Sequence, residues 1–295
     1  MIWLVGNRGM LGTELSNLFT AHKVPFIGTD RELSILDPAA LYAFAHGKGI
    51  SWIINCAAYT AVDRAEDEVE LCTALNVQGP ENLARLAREI GARLLHISTD
   101  YVFSGTPILD QGVPRPYRED DPTGPTGVYG KTKREGEERV LSLSQDNIIL
   151  RTAWLYGQHG NNFVFTMLRL MKERERIGVV ADQRGSPTWA YDLSQAILML
   201  INLNTEKLPG GIYHYTNEGE TTWYDFAREI FRLGREQGLL DRDCEISPLT
   251  TDQYPTKARR PAYSVLSKEK IKALGVAVPH WQDSLARFMY QLAGA

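Results

Sequence analysis

The sequence is poor in the residues that would tie it to a metal, a disulfide framework, a membrane or a polyanion. Its 3 cysteines, Cys56, Cys72 and Cys244, are an odd number without a C-x-x-C pair, which argues against a disulfide scaffold and a thiolate zinc site. The 6 histidines are scattered without H-E-x-x-H spacing. No stretch approaches the roughly 20 apolar residues of a membrane span, and the opening M-I-W-L-V-G-N-R turns polar too soon for a signal-peptide core. A cytoplasmic location away from membranes is therefore expected. A net charge of −4 gives no general attraction to nucleic acid. There is no internal repeat and no low-complexity tract. What remains is a 295-residue chain, 43% hydrophobic and 23% charged, long enough for one large α/β core or two coupled lobes.

Short apolar runs alternate with helical patterns through the first half: I-W-L-V (2–5), W-I-I-N-C (52–56), L-L-H-I-S (94–98) and I-I-L-R (148–151). Such alternation predicts βαβ units around a parallel sheet. Leu11, Leu15, Leu18 and Phe19 fall on one face of a helix that begins inside a glycine-rich turn. Asp37 and Pro38 have the character of an N-cap and a first-turn residue, with Gly47 as the terminator of that helix. A helical stretch from about Glu66 to Ile90 contains Gly79-Pro80, where a kink or break is expected. After about Gly157 the texture changes to Gly-, Asn- and aromatic-rich segments, suited to binding loops between helices. The fold expected is α/β: a Rossmann-like doubly wound parallel sheet over 1–157, and a smaller C-terminal α/β substrate-binding lobe over 158–295 that can return elements to the first domain.

V-G-N-R-G-M-L-G places Gly6, Gly9 and Gly12 between the first strand and the first helix. A dinucleotide needs a tight turn there, close backbone approach to its pyrophosphate, and an anion at the helix terminus. The spacing is G-x-x-G-x-x-G, and its strand-turn-helix context carries the prediction. Asp30 ends the second strand, F-I-G-T-D, where a carboxylate binds a ribose 2′-hydroxyl and repels a 2′-phosphate, whereas Arg8 and Arg31 nearby would attract that phosphate. On balance the cofactor expected is NADPH, with NADH tolerated.

V-Y-G-K-T-K puts Tyr129 and Lys133 at i and i+4 on a helix that follows a run of breakers. A cation beside a phenol favours the phenolate, so Lys133 is expected to lower the Tyr129 pKa and make proton transfer practical near neutral pH. Tyr129 would then protonate a carbonyl oxygen as hydride arrives at carbon, and Lys133 would hold the nicotinamide ribose. S-T-D-Y-V-F-S-G (98–105) follows the third apolar run and sets Ser98 or Thr99 at a strand's carboxyl end, where a further donor could polarise the same oxygen.

With the glycine turn, N-C-A-A-Y-T-A-V-D-R-A-E, S-T-D-Y-V-F-S-G, Y-G-K-T-K, R-T-A-W-L-Y-G, D-Q-R-G-S-P-T and R-R-P-A-Y-S-V-L in this order, the chain resembles the extended short-chain dehydrogenases/reductases nearly end to end. The resemblance implies Thr99, Tyr129 and Lys133 as the catalytic set. It places Met10 and Leu11, Thr29 and Asp30, Ser34 and Ile35, and Ala57, Ala58 and Tyr59 around the cofactor. Ser34 stands where the family often carries Asp at the adenine end. Thr60, Val62, Thr99, Tyr129 and Trp154 would line a sugar-nucleotide site. Dehydratases of this scaffold carry Thr-Asp-Glu, but here the stretch is Thr99-Asp100-Tyr101. The missing second carboxyl points to plain carbonyl reduction, with Asp100 and Tyr101 positioning substrate. Some relatives bridge a dimer through a metal held by acids; Glu14 fits one position, but Tyr191 stands at another, so no metal is expected and a homodimer stays open.

Asn162, Phe163, Gln183, Trp223 and Arg260 are further candidates for substrate contact, an arginine suiting a diphosphate and an aromatic a base. Packing is the preferred reading of Phe163 and Trp223, and Lys257, Arg259 and Arg260 are read equally as surface charges. The function expected is reduction of dTDP-4-dehydro-6-deoxy-L-mannose to dTDP-L-rhamnose by NADPH. The rivals are a non-catalytic regulatory subunit, of the kind that accompanies methionine adenosyltransferase, and a reductase or epimerase of another nucleotide sugar.

Overall fold

The strand-forming runs lack polar alternation because both faces of their sheet are covered. In the computed structural model, which describes residues 1–203 and 206–294, six such runs pair side by side. They are β1 (Ile2–Val5), β2 (Phe26–Thr29), β3 (Trp52–Asn55), β4 (Arg93–Thr99), β5 (Ile148–Thr152) and β6 (Gly211–His214). All neighbours are parallel, in the order β6-β5-β4-β3-β1-β2. The doubly wound parallel sheet is thus as expected. From β1 the chain goes to β2 on one side and to β3 on the other, so the order reverses there. That reversal opens a crevice beyond the carboxyl ends of β1 and β3.

Successive residues of β1 leave for opposite faces, as period 2 requires. Ile2 and Leu4 join a core with α1 (Met10–Ala21). Trp3 and Val5 join another with α2 (Pro38–Ala45), α3 (Gly79–Ile90) and α4 (Val128–Leu143). The Asp37 carboxylate accepts the Ala40 N–H at 3.0 Å, and Gly47 takes φ +73° just past the end of α2, so both ends form as expected. Ahead of α3 the expected long helix starts at Val69, and a π turn spans Ala74–Gln78 immediately before Gly79-Pro80. Pro80 has no N–H for the ladder, and the widened turn absorbs that break without ending the helix.

Beyond Tyr156 a separate apolar cluster gathers α5 (Phe163–Glu173), a parallel strand pair, Arg176–Val180 with Glu245–Leu249, and helices Trp223–Glu236 and Trp281–Ala293. Between these elements the chain returns to the first core. Leu193, Ile197, Leu200 and Ile201 of α6 (Ala190–Asn202) pack with α1, and β6 adds to the sheet beside β5. The other two helices of the second cluster are α7 (Trp223–Glu236) and α8 (Trp281–Ala293), with the short helix Glu269–Ala273 before the latter. Among the described residues no helix is long and apolar enough to cross a membrane.

Candidate active site

The glycine turn lies in the crevice, and its backbone leaves no room for a side chain at Gly6 or Gly12. Gly6 has φ +77°, and a Cβ there would stand 2.7 Å from the Ala57 nitrogen; a Cβ on Gly12 would stand 2.0 Å from the Gly6 carbonyl oxygen. The Gly6 and Asn7 N–H groups donate to the Thr29 carbonyl at 2.8 and 3.2 Å, tying the turn to the end of β2. Gly9 is the N-cap of α1 and supplies no side-chain cap, so the leading N–H groups of that helix are left for an anion. Met10 is half-buried, but the Leu11 side chain belongs to the core, which leaves only its backbone to face the crevice. The Thr29 hydroxyl is buried and accepts the Trp3 indole N–H at 2.9 Å.

The Asp30 carboxylate accepts the backbone N–H of Arg8 at 3.2 Å and of Arg31 at 2.9 Å. Glu32, which was not anticipated, accepts the Asp30 N–H at 2.8 Å and lies 3.5 Å from the Arg8 guanidinium. Backbone N–H donors hold its carboxyl below the usual range, with Arg8 adding to the pull. Both side chains of that ion pair are exposed, so the Arg8 guanidinium is free to leave Glu32 for a phosphate. The Ser34 hydroxyl accepts the Leu36 N–H at 3.2 Å. Ile35 points into the core, where a Cβ on Gly79 would meet its Cδ1 at 2.3 Å.

At the end of β3, Ala57 donates its N–H to Asn55 Oδ1 at 3.0 Å, with Ala58 half-buried beside it. Tyr59 is pinned at both ends, its N–H on Asn76 Oδ1 at 2.9 Å and its hydroxyl on Glu68 at 2.7 Å. Thr60 is exposed and Val62 half-buried on the loop that follows.

Thr99 is the last residue of β4 and Tyr129 lies in the first turn of α4. Glu66 substitutes for a local cap on that helix by accepting the Val128 N–H at 2.8 Å from 62 residues away. The Thr99 hydroxyl stands close enough to the Tyr129 hydroxyl to act on its proton. The Thr99 hydroxyl also reaches Asp100 Oδ1 at 2.9 Å. Burial pushes the Tyr129 hydroxyl above its ordinary range, and the Thr99 hydroxyl pulls less strongly the other way. Lys133 is buried and donates to the Ile97 carbonyl at 2.7 Å, with His96 Nε2 at 3.1 Å. Burial brings its ammonium down to about 8, with Glu137 opposing. The expected depression of the phenol by the ammonium is thus absent. Lys133 Nζ is engaged with the Ile97 carbonyl and His96 Nε2, and desolvation disfavours charge on both the phenol and the ammonium.

Asp100 is 2% exposed, and burial raises its carboxyl to about 6. Its Oδ2 has no partner among the described residues. The Tyr101 ring meets the Tyr129 ring edge-on at 5.4 Å, and its hydroxyl accepts from Arg260 at 3.3 Å. Arg260 in turn pairs with Asp63 at 2.5 Å, so this arginine is drawn from the second half of the chain to the catalytic set. Trp154 adopts φ +48° and stacks on Trp223 with 3.5 Å between ring centroids. Asn162 caps α5 by accepting the Phe165 N–H at 3.2 Å, Phe163 stacks on Phe226, and Gln183 donates to Thr251 at 3.0 Å. Those three side chains therefore serve local packing and capping.

Asp63, Glu66, Asn76, Asn55 and His96 were missed by sequence reasoning. For Asn55 and His96 a signal existed: each is a polar residue inside a strand that is otherwise apolar, W-I-I-N and L-L-H-I. Among the described residues no three His, Cys, Asp or Glu side chains gather to hold a metal ion.

Comparison with known proteins places this arrangement. The family profile described as RmlD substrate binding domain matches residues 1–293. A dTDP-4-dehydrorhamnose reductase of Streptomyces griseus is 43% identical over 297 residues, covering 99% of this chain and 94% of the relative. A crystal structure of a dTDP-4-dehydrorhamnose reductase from Clostridium acetobutylicum superposes with a TM-score of 0.89 at 40% identity, over 99% of each chain. That of the Bacillus anthracis dTDP-4-dehydrorhamnose reductase, in complex with NADP, also gives 0.89, at 36% identity over 98% of each chain.

Proposed function

The chain belongs to the RmlD substrate-binding-domain family, and from that premise we propose that it reduces dTDP-4-dehydrorhamnose to dTDP-L-rhamnose with NADPH. The observation that carries the reading is the meeting of Thr99, Tyr129 and Lys133 beside a glycine turn that excludes a Cβ at Gly6 and Gly12, in a chain similar end to end to reductases of that name.

The residues present fit the dinucleotide. Gly6, Gly9 and Gly12, with the uncapped start of α1, would take its pyrophosphate, and Arg8 and Arg31 the 2′-phosphate. Bound there, NADPH supplies the hydride that the ketone carbon receives. Tyr129 carries the matching proton, and its raised pKa keeps that proton in place at neutral pH. It delivers the proton to the ketone oxygen, and the Thr99 hydroxyl, whose single hydrogen rests on Asp100, turns that hydrogen to the phenolate left behind. The unpartnered Asp100 Oδ2 is an acceptor for a sugar hydroxyl. Arg260, held by Asp63 and Tyr101, offers a planar fork to the diphosphate. Residues 1–157 are the cofactor domain in this reading, and 158–295 mainly the substrate lobe, lending α6 and β6 back to the sheet. A homodimer and a cytoplasmic location complete the proposal, to be checked by sedimentation and by fractionation.

The test is NADPH consumption on adding the dTDP-keto sugar, with Tyr129→Phe alongside. The variant should lose about 10²–10⁴-fold in kcat while still binding NADPH. Equal turnover by both proteins would remove the proton-donor role. Inertness of both, with NADPH still bound, would favour a regulatory binding subunit. Turnover of UDP- or GDP-keto sugars alone would overturn only the substrate.

A further inference from the structure

Beneath the catalytic set, three buried polar side chains stand in line: Asn55 on β3, His96 opposite it in register on β4, and Lys133 on α4. Asn55 Nδ2 lies 2.9 Å from His96 Nδ1, and His96 Nε2 lies 3.1 Å from Lys133 Nζ. The orientation of the Asn55 amide is fixed, because the Ala57 N–H donates to its Oδ1 at 3.0 Å; a flipped amide would set two donors face to face. Asn55 therefore donates through Nδ2, and His96 Nδ1 must accept. A neutral imidazole that accepts at Nδ1 carries its hydrogen at Nε2, which points at Lys133. His96 is fully buried, and desolvation, then the nearby Lys133, holds its pKa well below the ordinary value, so the neutral ring is the relevant form. An ammonium at Nζ would oppose that N–H, whereas an amine accepts it and still donates to the Ile97 carbonyl at 2.7 Å.

We propose that Asn55 and His96 are positioning residues that hold Lys133 as a free amine in the cofactor-free protein, so that binding of the dinucleotide is coupled to uptake of one proton at Lys133. The inference rests on the assignment of Lys133 to the nicotinamide ribose made above. On binding, a proton from solvent forms the third N–H of Nζ, the Nε2–H to Nζ hydrogen bond breaks, and ribose hydroxyls replace it as acceptors. The ionisable groups facing Lys133 are His96 from β4, Cys56 just past β3, Cys72 from the short helix Val69–Thr73, and Glu137 one turn further along α4. Cys72 is buried and Cys56 half-buried, and desolvation raises both thiols, so neither supplies a counter-charge. Glu137 is already held by both arms of Arg151.

The experiment has two readouts that do not depend on turnover. Side-chain ¹⁵N spectra of the cofactor-free protein should show His96 protonated at Nε2 alone; an Nδ1–H or doubly protonated ring overturns the proposal. Calorimetric titration with NADP⁺ in buffers of different ionisation enthalpy should show proton uptake that is small near pH 7 and rises toward one proton per site near pH 9, as the cofactor-free Lys133 passes through its value of about 8. Lys133→Met should abolish that uptake. Asn55→Asp offers an acceptor to Nδ1, reverses the tautomer and presents a lone pair to Nζ, so its proton uptake should fall to near zero with NADP⁺ still bound. Uptake unchanged in Asn55→Asp or Lys133→Met, or absent from the wild type, overturns the coupling. Should Asn55→Asp fail to fold, the wild-type tautomer and proton count decide alone. Loss of turnover in Tyr129→Phe tests the reductase reading separately, so the two can fail independently.

Discussion

In the proposed site, the floor and the aromatic cluster assigned to its far wall are built on opposite principles. Under α4 the interior is polar and charged: Lys133, His96, Asn55, Asn76, Glu137 and Arg151 are all buried, each with a named partner. The wall formed by Trp154, Trp223, Phe163 and Phe226 is aromatic, and holds through ring contacts at 3.5–5.5 Å. A hydrogen-bonded floor fixes where protons sit, and it fails abruptly because a single deletion strands a buried donor or charge. Dispersion and stacking degrade gradually, which suits a surface that only shapes a ligand.

Breaking the floor should therefore have the largest effect on stability. Arg151 and Glu137 are 2% and 3% exposed and joined by two hydrogen bonds, at 2.9 and 2.7 Å, with the guanidinium over the Phe103 ring. Arg151→Met strands the Glu137 carboxylate and should cost about 3–5 kcal/mol in chemical denaturation. Adding Glu137→Leu should recover most of that loss. A double variant no more stable than the single one would show that the pair, beyond mutual compensation, organises the core around it.

Asp100 sharpens the contrast, because it is a floor group whose partners are incomplete. Its folded pKa of about 6 stands above the ordinary aspartate value of 3.8, so the folded protein binds its proton more tightly than the unfolded chain does. The associated stability is present below about pH 4 and is lost as pH rises through 6. Asp100→Asn should accordingly stabilise the protein at pH 8 by up to about 3 kcal/mol relative to wild type, with the difference vanishing near pH 4. A difference independent of pH would show that the carboxyl is not under strain.

Local patterns were far more legible in the sequence than pairings between distant segments. The glycine turn, Thr99 and the Tyr129–Lys133 spacing are local patterns, readable because backbone geometry and helix periodicity operate over a few residues. The five early strands were legible for the same reason, as apolar runs between breakers. The Glu66 cap on α4, the Asp63–Arg260 pair and the return of β6 to the sheet join positions 62 to 197 residues apart or follow an excursion through the second lobe. No local pattern encodes such pairings. The expected influence of Lys133 on Tyr129 failed for a related reason. Spacing put the two side chains on one helix face, but desolvation and the partners His96 and Ile97 decide where the charge lies.

The aromatic wall offers the smallest effect and the cleanest test of its graded character. Trp154 keeps a left-handed backbone, φ +48°, that a bulky residue rarely adopts. Its ring lies against Gly185, where a Cβ would come within 2.6 Å of Cε2, and is covered on the other side by Trp223 at an interplanar angle of 10°. Such a conformation persists only when its surroundings hold it, and Trp223 is the main support. Trp223→Leu keeps an apolar side chain but removes the stack, worth about 0.5–1.5 kcal/mol. The expected result is a rise of roughly 2- to 10-fold in KM for the nucleotide sugar with kcat little changed, because the proton-handling floor is untouched. The coupled far-ultraviolet dichroism of two stacked indoles should vanish in the same variant. A fall in kcat at unchanged KM would mean that the wall reaches the reacting atoms, and the division between floor and wall would no longer hold.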